Sequence, residues 1–118
     1  MTNPLLPNSS IDATSLALED YPLEPNDIES GAPSASLVEL LEAPALAIGV
    51  WELSEGTVTD TEEDEVFVVI AGAATVEFED GSAPLYLRPG VVGRLAAGTR
   101  TRWTVTETLR KVYVTLTT

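Results

Sequence analysis

The feature that most constrains this chain is where its β-branched residues stand. From Ala45 onward Val, Ile and Thr supply 25 of 74 residues, and side chains branched at Cβ suit a pleated, half-buried sheet better than a helix. No helical stripe competes with that load. Glycines at 72, 81, 90 and 98 punctuate the same stretch, a turn signal about every nine residues, as in sandwiches and barrels of short strands. Between the turns the alternation is explicit. Ala74, Val76 and Phe78 oppose Thr75, Glu77 and Glu79, and Val112, Val114 and Leu116 oppose Lys111, Tyr113 and Thr115. The pattern predicts strands near 45–53, 57–60, 65–70, 73–79, 84–88, 91–95, 100–106 and 109–116, with Glu79-Asp80-Gly81 as a hairpin turn. Eight strands without a helix predict an all-β closed barrel or jelly roll, which removes exposed strand edges.

The first part of the chain reads differently. Six of the eight prolines lie in the first 44 residues, whereas seven of the eight glycines lie at or after Gly49. Residues 1–33 are expected to form an extended N-terminal arm, only partly ordered unless it docks, with one short strand at Thr14 to Leu18. Residues 34–118 are expected to form a single barrel domain of ordinary size. Ser36 to Glu42 fits either two helical turns behind a Ser cap or a strand stopped at Pro44, and strand is preferred.

Charge and missing residue types narrow the chemistry. The chain carries 19 acids and 6 bases, a formal net charge of -13, with no His and no Cys. That composition excludes a disulfide framework, a thiolate nucleophile, a Ser-His-Asp triad and a histidine metal site. A negative surface repels phosphate backbones and anionic bilayers, so neither nucleic acid nor membrane is an expected partner. The start MTNPLLPNSS lacks a basic n-region and a long apolar core, so a cytoplasmic location is expected. Residues 1–87 hold 18 acids and no base, while 88–118 hold six bases and one acid. In a barrel the last strands lie beside earlier ones, so Arg88, Arg94, Arg100, Arg102, Arg110 and Lys111 are expected to pair with the acid-rich part or with a partner subunit.

The spacing of three motifs resembles the cupin superfamily. Gly56, Glu65 and Gly72 match its first motif, with Thr59 and Thr61 where two His would stand. Gly90 and Gly98 match its second, with Ala96 in place of Pro and Thr101 in place of His. More narrowly, GVWELSEG, the EDE of Glu63 to Glu65, and TRWTVTETLRKVYV resemble small single-domain cupins related to ureidoglycine aminohydrolase and to ethanolamine-utilisation proteins. The resemblance covers residues 46 to 116 and implies a cupin-like double-stranded β-helix with a pocket inside the barrel. Metal-dependent cupins use three His and a Glu. Here only Glu65 stands at a matching position, and neutral Thr hydroxyls are poor ligands for transition metals. The resemblance therefore implies the fold and the pocket, but neither a metal cofactor nor the aminohydrolase chemistry.

Within such a barrel the alternation turns Glu65, Thr101 and Trp103 inward. The candidate ligand-binding residues are Trp51, Thr59, Thr61, Glu65, Thr101, Trp103 and Tyr113, around a small molecule. No metal ligand or cofactor is expected, and a homodimer is the expected assembly. Lys111 and Thr115 are read as outward neighbours of Tyr113, and the acidic run Thr61 to Glu65 as a solvated turn. Two functional readings stay open: a non-catalytic small-molecule-binding or interaction module, and a metal-independent isomerase or lyase using Glu65 as acid or base.

Overall fold

The computed structural model describes residues 3–116. Nine strands follow in order: β1 Glu19–Asp20, β2 Ile28–Gly31, β3 Ala35–Ala43, β4 Leu46–Leu53, β5 Gly56–Thr61, β6 Glu65–Phe78, β7 Leu85–Leu87, β8 Val92–Leu95 and β9 Arg100–Leu116. The only helical turn among the described residues is a 3-10 turn at Pro25–Asp27, and no helix there is long and apolar enough to cross a membrane. All strand pairs are antiparallel.

Two long strands make the barrel. The C-terminal half of β9 lies between β4 and the first half of β6, and its N-terminal half lies between β5 and the second half of β6. Each of these strands thus serves two sheets, β1-β3-β4-β9-β6-β8 and β2-β5-β9-β6-β7. The register of β6 on β9 shifts three times between Val69 and Ala74, and such bulges let a strand bend from one sheet into the other. Gly72 is at that corner with φ +88°, and a Cβ there would overlap the carbonyl of Thr108. The result is the jelly roll expected from the alternation. Strands anticipated separately at 65–70 and 73–79, and at 100–106 and 109–116, are each one bent strand, because a bulge breaks the period without breaking the pairing. Ser36 to Glu42 is strand, within β3.

The core lies inside the roll, with Leu53, Val58, Phe67, Val69, Val76, Leu87, Leu95, Trp103, Val105 and Leu109 buried together. Burying each such side chain is worth about 1.5–3 kcal/mol. Gly93 leaves the space that the Phe67 ring fills.

The arm docks on its own barrel. Thr14 to Leu18 is turn and irregular chain, and the strand begins one residue later, as β1 on β3. The strand expected there needed a partner edge, and β3 offers its edge to Glu19 and Asp20 instead. Asn3 Oδ1 accepts from the Glu42 amide, the Leu5 amide donates to the Leu40 carbonyl, and Arg110 donates to the carbonyls of Ala13 and Leu16. Arg110 also pairs with Glu52. Leu23 and Ile28 pack against the core, so the span 1–33 contributes two strands to the barrel and is more than a surface tail. Residues 1–2 and 117–118 of the two expected spans lie outside the described residues.

Candidate functional site

One parity holds on both sides of the corner in β9: Thr101, Trp103 and Val105, then Leu109, Lys111 and Tyr113, are buried, and of that parity only Glu107 between them is exposed. The outward reading of Lys111 and Thr115 is therefore corrected: Lys111 is buried, and half-buried Thr115 lines a cavity. Splitting β9 in two hid the continuity, and a lysine is a residue type rarely buried unless paired. Here it is paired. Lys111 Nζ donates to Glu65 Oε2, at the start of β6. The ammonium also lies 4.7 Å from the ring centroids of Trp51 and Trp103 and 4.8 Å from that of Phe67. Three ring faces and one carboxylate are the chemical complement of an ammonium. Trp51 and Trp103 meet edge-on, with centroids 5.6 Å apart.

The acidic run Thr61 to Glu65 is a solvated turn only in part, with Thr61 and Glu63 exposed but Glu62 turned inward. Glu62 is buried at 7 % exposure, and its Oε2 accepts from Thr101 Oγ1 at 2.6 Å and from Trp103 Nε1 at 2.9 Å. Trp103 Nε1 also reaches Thr101 Oγ1 at 3.1 Å. The Glu62 backbone is tied on both sides, its amide to the Thr99 carbonyl and its carbonyl to the Gly98 amide. Asp64 caps the neighbouring loop by accepting from the Ala97 amide. The hydrogen-bond donors that make this turn part of the interior come from β9 and the loop before it, too far along the chain for a local charge count to reveal.

Two adjoining cavities of about 290 Å³ each open at this end of the barrel. Asp60, Glu62, Glu63, Glu65, Lys111 and Tyr113 line the first; Leu23, Glu24, Asp27, Val58 and Trp103 line the second. Tyr21, Trp51 and Asp60 belong to both, and the arm segment 21–27 supplies a wall of the second. Burial and the charge of Glu62 push the Asp60 carboxyl up to about 6, against the counter-pull of the Thr61 amide and of Lys111. Burial, with Glu39, Glu65 and Tyr21 nearby, pushes the Tyr113 hydroxyl up to about 12. Gly49, opposite Tyr113 on β4, leaves the space its ring and hydroxyl occupy. Glu39 Oε1, on β3 beside Gly49, is buried without a hydrogen-bond partner among the described residues.

Of the residues singled out from the sequence, Trp51, Glu65, Thr101, Trp103 and Tyr113 converge in this interior. Thr59 and Thr61 line the cavities from the rim and not from the deep interior. Register pairs Val58 with Trp103 and Asp60 with Thr101, so the inward residues of β5 are Val58 and Asp60. The Thr59 hydroxyl turns to Asp27, and that of Thr61 accepts from Arg100, both at the cavity rims. Sequence reasoning missed Asp60, Glu62 and Lys111. Carrying the Thr101 and Trp103 parity along β9 identifies Lys111, and pairing it across to β5 identifies Asp60. Among the described residues no group of three His, Cys, Asp or Glu side chains is arranged to hold a metal ion.

With Lys111, three arginines pair as the charge split suggested, while Arg88 and Arg94 make no ion pair among the described residues. Arg100 meets Glu79, Arg102 meets Glu29 and Arg110 meets Glu52; every one of these acids lies in residues 1–87. The first two pairs are exposed and contribute little, since solvent screens them.

Comparison with known proteins adds a family and a set of folds. Residues 42–113 match the EutQ-like cupin domain. No curated protein matches the sequence. Among solved structures, the Clostridium difficile EutQ protein superposes with a TM-score of 0.70 at 20% identity, over 91% of this chain and 85% of its own. A protein of unknown function in the DUF861 family from Pseudomonas syringae pv. tomato gives 0.76 at 28% identity, over 91% of this chain and 46% of its own. The cupin domain of Schizosaccharomyces pombe Cnp3 gives 0.67 at 15% identity, over 92% of this chain and 74% of its own.

Proposed function

Because the chain belongs to the EutQ-like cupin domain family, we propose that its barrel works as a small-molecule-binding module that needs no metal ion. The observation that carries this reading is the Lys111–Glu65 pair. By the motif resemblance Glu65 stands where a metal-binding Glu would, and its carboxylate holds an ammonium already placed among three rings. A divalent cation at Glu65 would face that fixed positive charge at close range, so these residues do not fit the metal of the catalytic cupins. The same pair weighs against Glu65 as a proton shuttle, since the carboxylate is committed to a counter-ion. Cavities walled by aromatic rings and a few fixed polar groups are the usual form of a small-molecule site. Native mass spectrometry of protein purified without chelators tests the proposal. A bare chain, or a chain carrying a small organic molecule, is expected; one equivalent of iron, manganese, nickel or zinc per chain refutes it.

We also propose that two copies associate through the outer face of the β4-β9-β6-β8 sheet. Register sets Val92, Val68, Val112 and Val50 in one outward row and Val66, Val114 and Ile48 beside it. Val50 is fully buried there, on the side where the arm docks, while Val68 and Val92 remain 38 % and 64 % exposed. On a chain of charge -13, these rows hold no acid, so they bring no carboxylates face to face when two copies meet. Light scattering is expected to give twice the 12.5 kDa chain mass and to fall to one chain for the Val68→Glu, Val92→Glu double variant. A monomeric parent protein refutes this.

A further inference from the structure

The sign and hydrogen-bonding character of the two cavities go beyond the general binding role and rest on it. Across both, the lining acids are Glu24, Asp27, Asp60, Glu62, Glu63 and Glu65, and the only lining base is Lys111. That base is already spent on Glu65. The fixed carboxylates are half used. Both donors to Glu62 reach Oε2, and no described residue donates to its Oε1. Lys111 likewise reaches only Oε2 of Glu65. Glu62 is buried, held by its backbone on both sides, and lines the first cavity, so its uncommitted oxygen is an acceptor fixed before any ligand arrives. That oxygen is open to the cavity, and an ammonium donating to it adds a charge-assisted hydrogen bond.

From this we infer that the barrel binds a small organic cation, an alkylammonium or diamine. Its ammonium would donate to Glu62 and Asp60 against the Trp51 and Tyr21 rings, and its carbon chain would run toward the second cavity, where Glu24 and Asp27 receive a second positive end. An anion meets six carboxylates and one neutralised lysine. A neutral polyol satisfies the acceptors but leaves the field uncompensated. The rings at this site already accept an ammonium in the form of Lys111.

The test uses the full chain and three four-carbon probes that differ only at their ends: putrescine, butanediol and succinate. Trp51 and Trp103 are the only two tryptophans in the chain, so their fluorescence reports binding without a label, and calorimetry checks it. At mildly alkaline pH and low salt, putrescine is expected to bind at least about tenfold more tightly than butanediol, a difference of ~1.4 kcal/mol, with no binding of succinate. Glu62→Gln keeps an acceptor for Thr101 and Trp103 and is expected to fold, yet to weaken putrescine at least tenfold. Asp60→Asn, at the mouth, is expected to do the same, while Glu107→Gln on the outside changes nothing. Affinity is also expected to fall as pH drops through about 6, where Asp60, facing Glu62, Lys111 and Asp27 with Glu24, Glu63, Glu65 and Tyr21 on the same walls, takes up a proton. Succinate or butanediol binding as tightly as putrescine overturns the cation and leaves the binding module standing. No binding by any probe, or putrescine binding that neither variant weakens, overturns it too. A stoichiometric metal in the native mass removes the underlying reading instead.

Discussion

Replacing Lys111 by Met isolates the interaction around which the interior is arranged. Methionine keeps the length and apolar stem, so the Trp51, Trp103 and Phe67 rings still have something to pack on. What disappears is the charge. The Glu65 side chain is 13% exposed in the native fold and that of Lys111 6%, so the substitution leaves a carboxylate in a largely dry site without its counter-ion. Removing one partner of a buried pair costs about 3–5 kcal/mol, most of it the stranded charge. At ~4 °C per kcal/mol for a domain of this size, Lys111→Met should lower the melting temperature by roughly 12–20 °C. Adding Glu65→Leu removes the stranded carboxylate, and the double variant should recover most of the loss, because a well-packed apolar pair can match a buried ion pair. Urea unfolding of the parent, both single variants and the double variant, followed by tryptophan fluorescence, closes the cycle. A loss under about 1 kcal/mol for Lys111→Met, or a double variant as unstable as the sum of the singles, would show that the pair is solvated and that the interior is not organised by it.

Three further outcomes follow from local geometry. Gly72→Ala places a Cβ on a backbone at φ +88° and into the Thr108 carbonyl, and should cost at least ~2 kcal/mol in urea unfolding; a neutral result would mean the β6 corner is not tight. Arg110→Ala releases the carbonyls of Ala13 and Leu16, so limited proteolysis should cut residues before Tyr21 several-fold faster while the barrel survives, and unchanged cleavage would deny Arg110 its hold on the arm. Tyr113 should ionise near pH 12 in an ultraviolet titration. Because its folded value lies above the ordinary 10.0, its contribution to stability is present below about pH 10 and lost as pH rises through about 12; Tyr113→Phe should remove that alkaline loss, and an early, normal titration would contradict the buried position.

The jelly roll was legible because its signals are local: β-branched alternation, glycine spacing and proline-free strands specify pleat and turn without knowledge of the partner strand. The inward set Glu65, Thr101 and Trp103 followed from parity once the motif resemblance fixed which face turns inward. What stayed hidden depended on continuity and register. A bulge is a backbone event with no fixed residue signature, so β6 and β9 read as four strands, and the parity that turns Lys111 inward was restarted at the wrong residue. The Thr59 and Thr61 positions were aligned by motif, while cross-strand pairing with β9 makes Asp60 the inward residue. Glu62 was concealed by its neighbours: four acids in five residues resemble solvent-exposed chain, and only Thr101 and Trp103, about forty residues later, supply the donors that permit its burial. The arm was undervalued for the same reason, since its partners Ala35, Leu40 and Arg110 lie far away in sequence.

The account turns on an ammonium occupying the centre of the barrel in place of a metal ion. A crystal structure of protein purified without chelators, with an X-ray fluorescence scan on the same crystal, tests this most directly. Continuous density is expected for Lys111 from β9 to Glu65, its Nζ among the rings of Trp51, Phe67 and Trp103, with no transition-metal edge. An ion coordinated by Glu65, with the Lys111 side chain swung away from the rings, would contradict it.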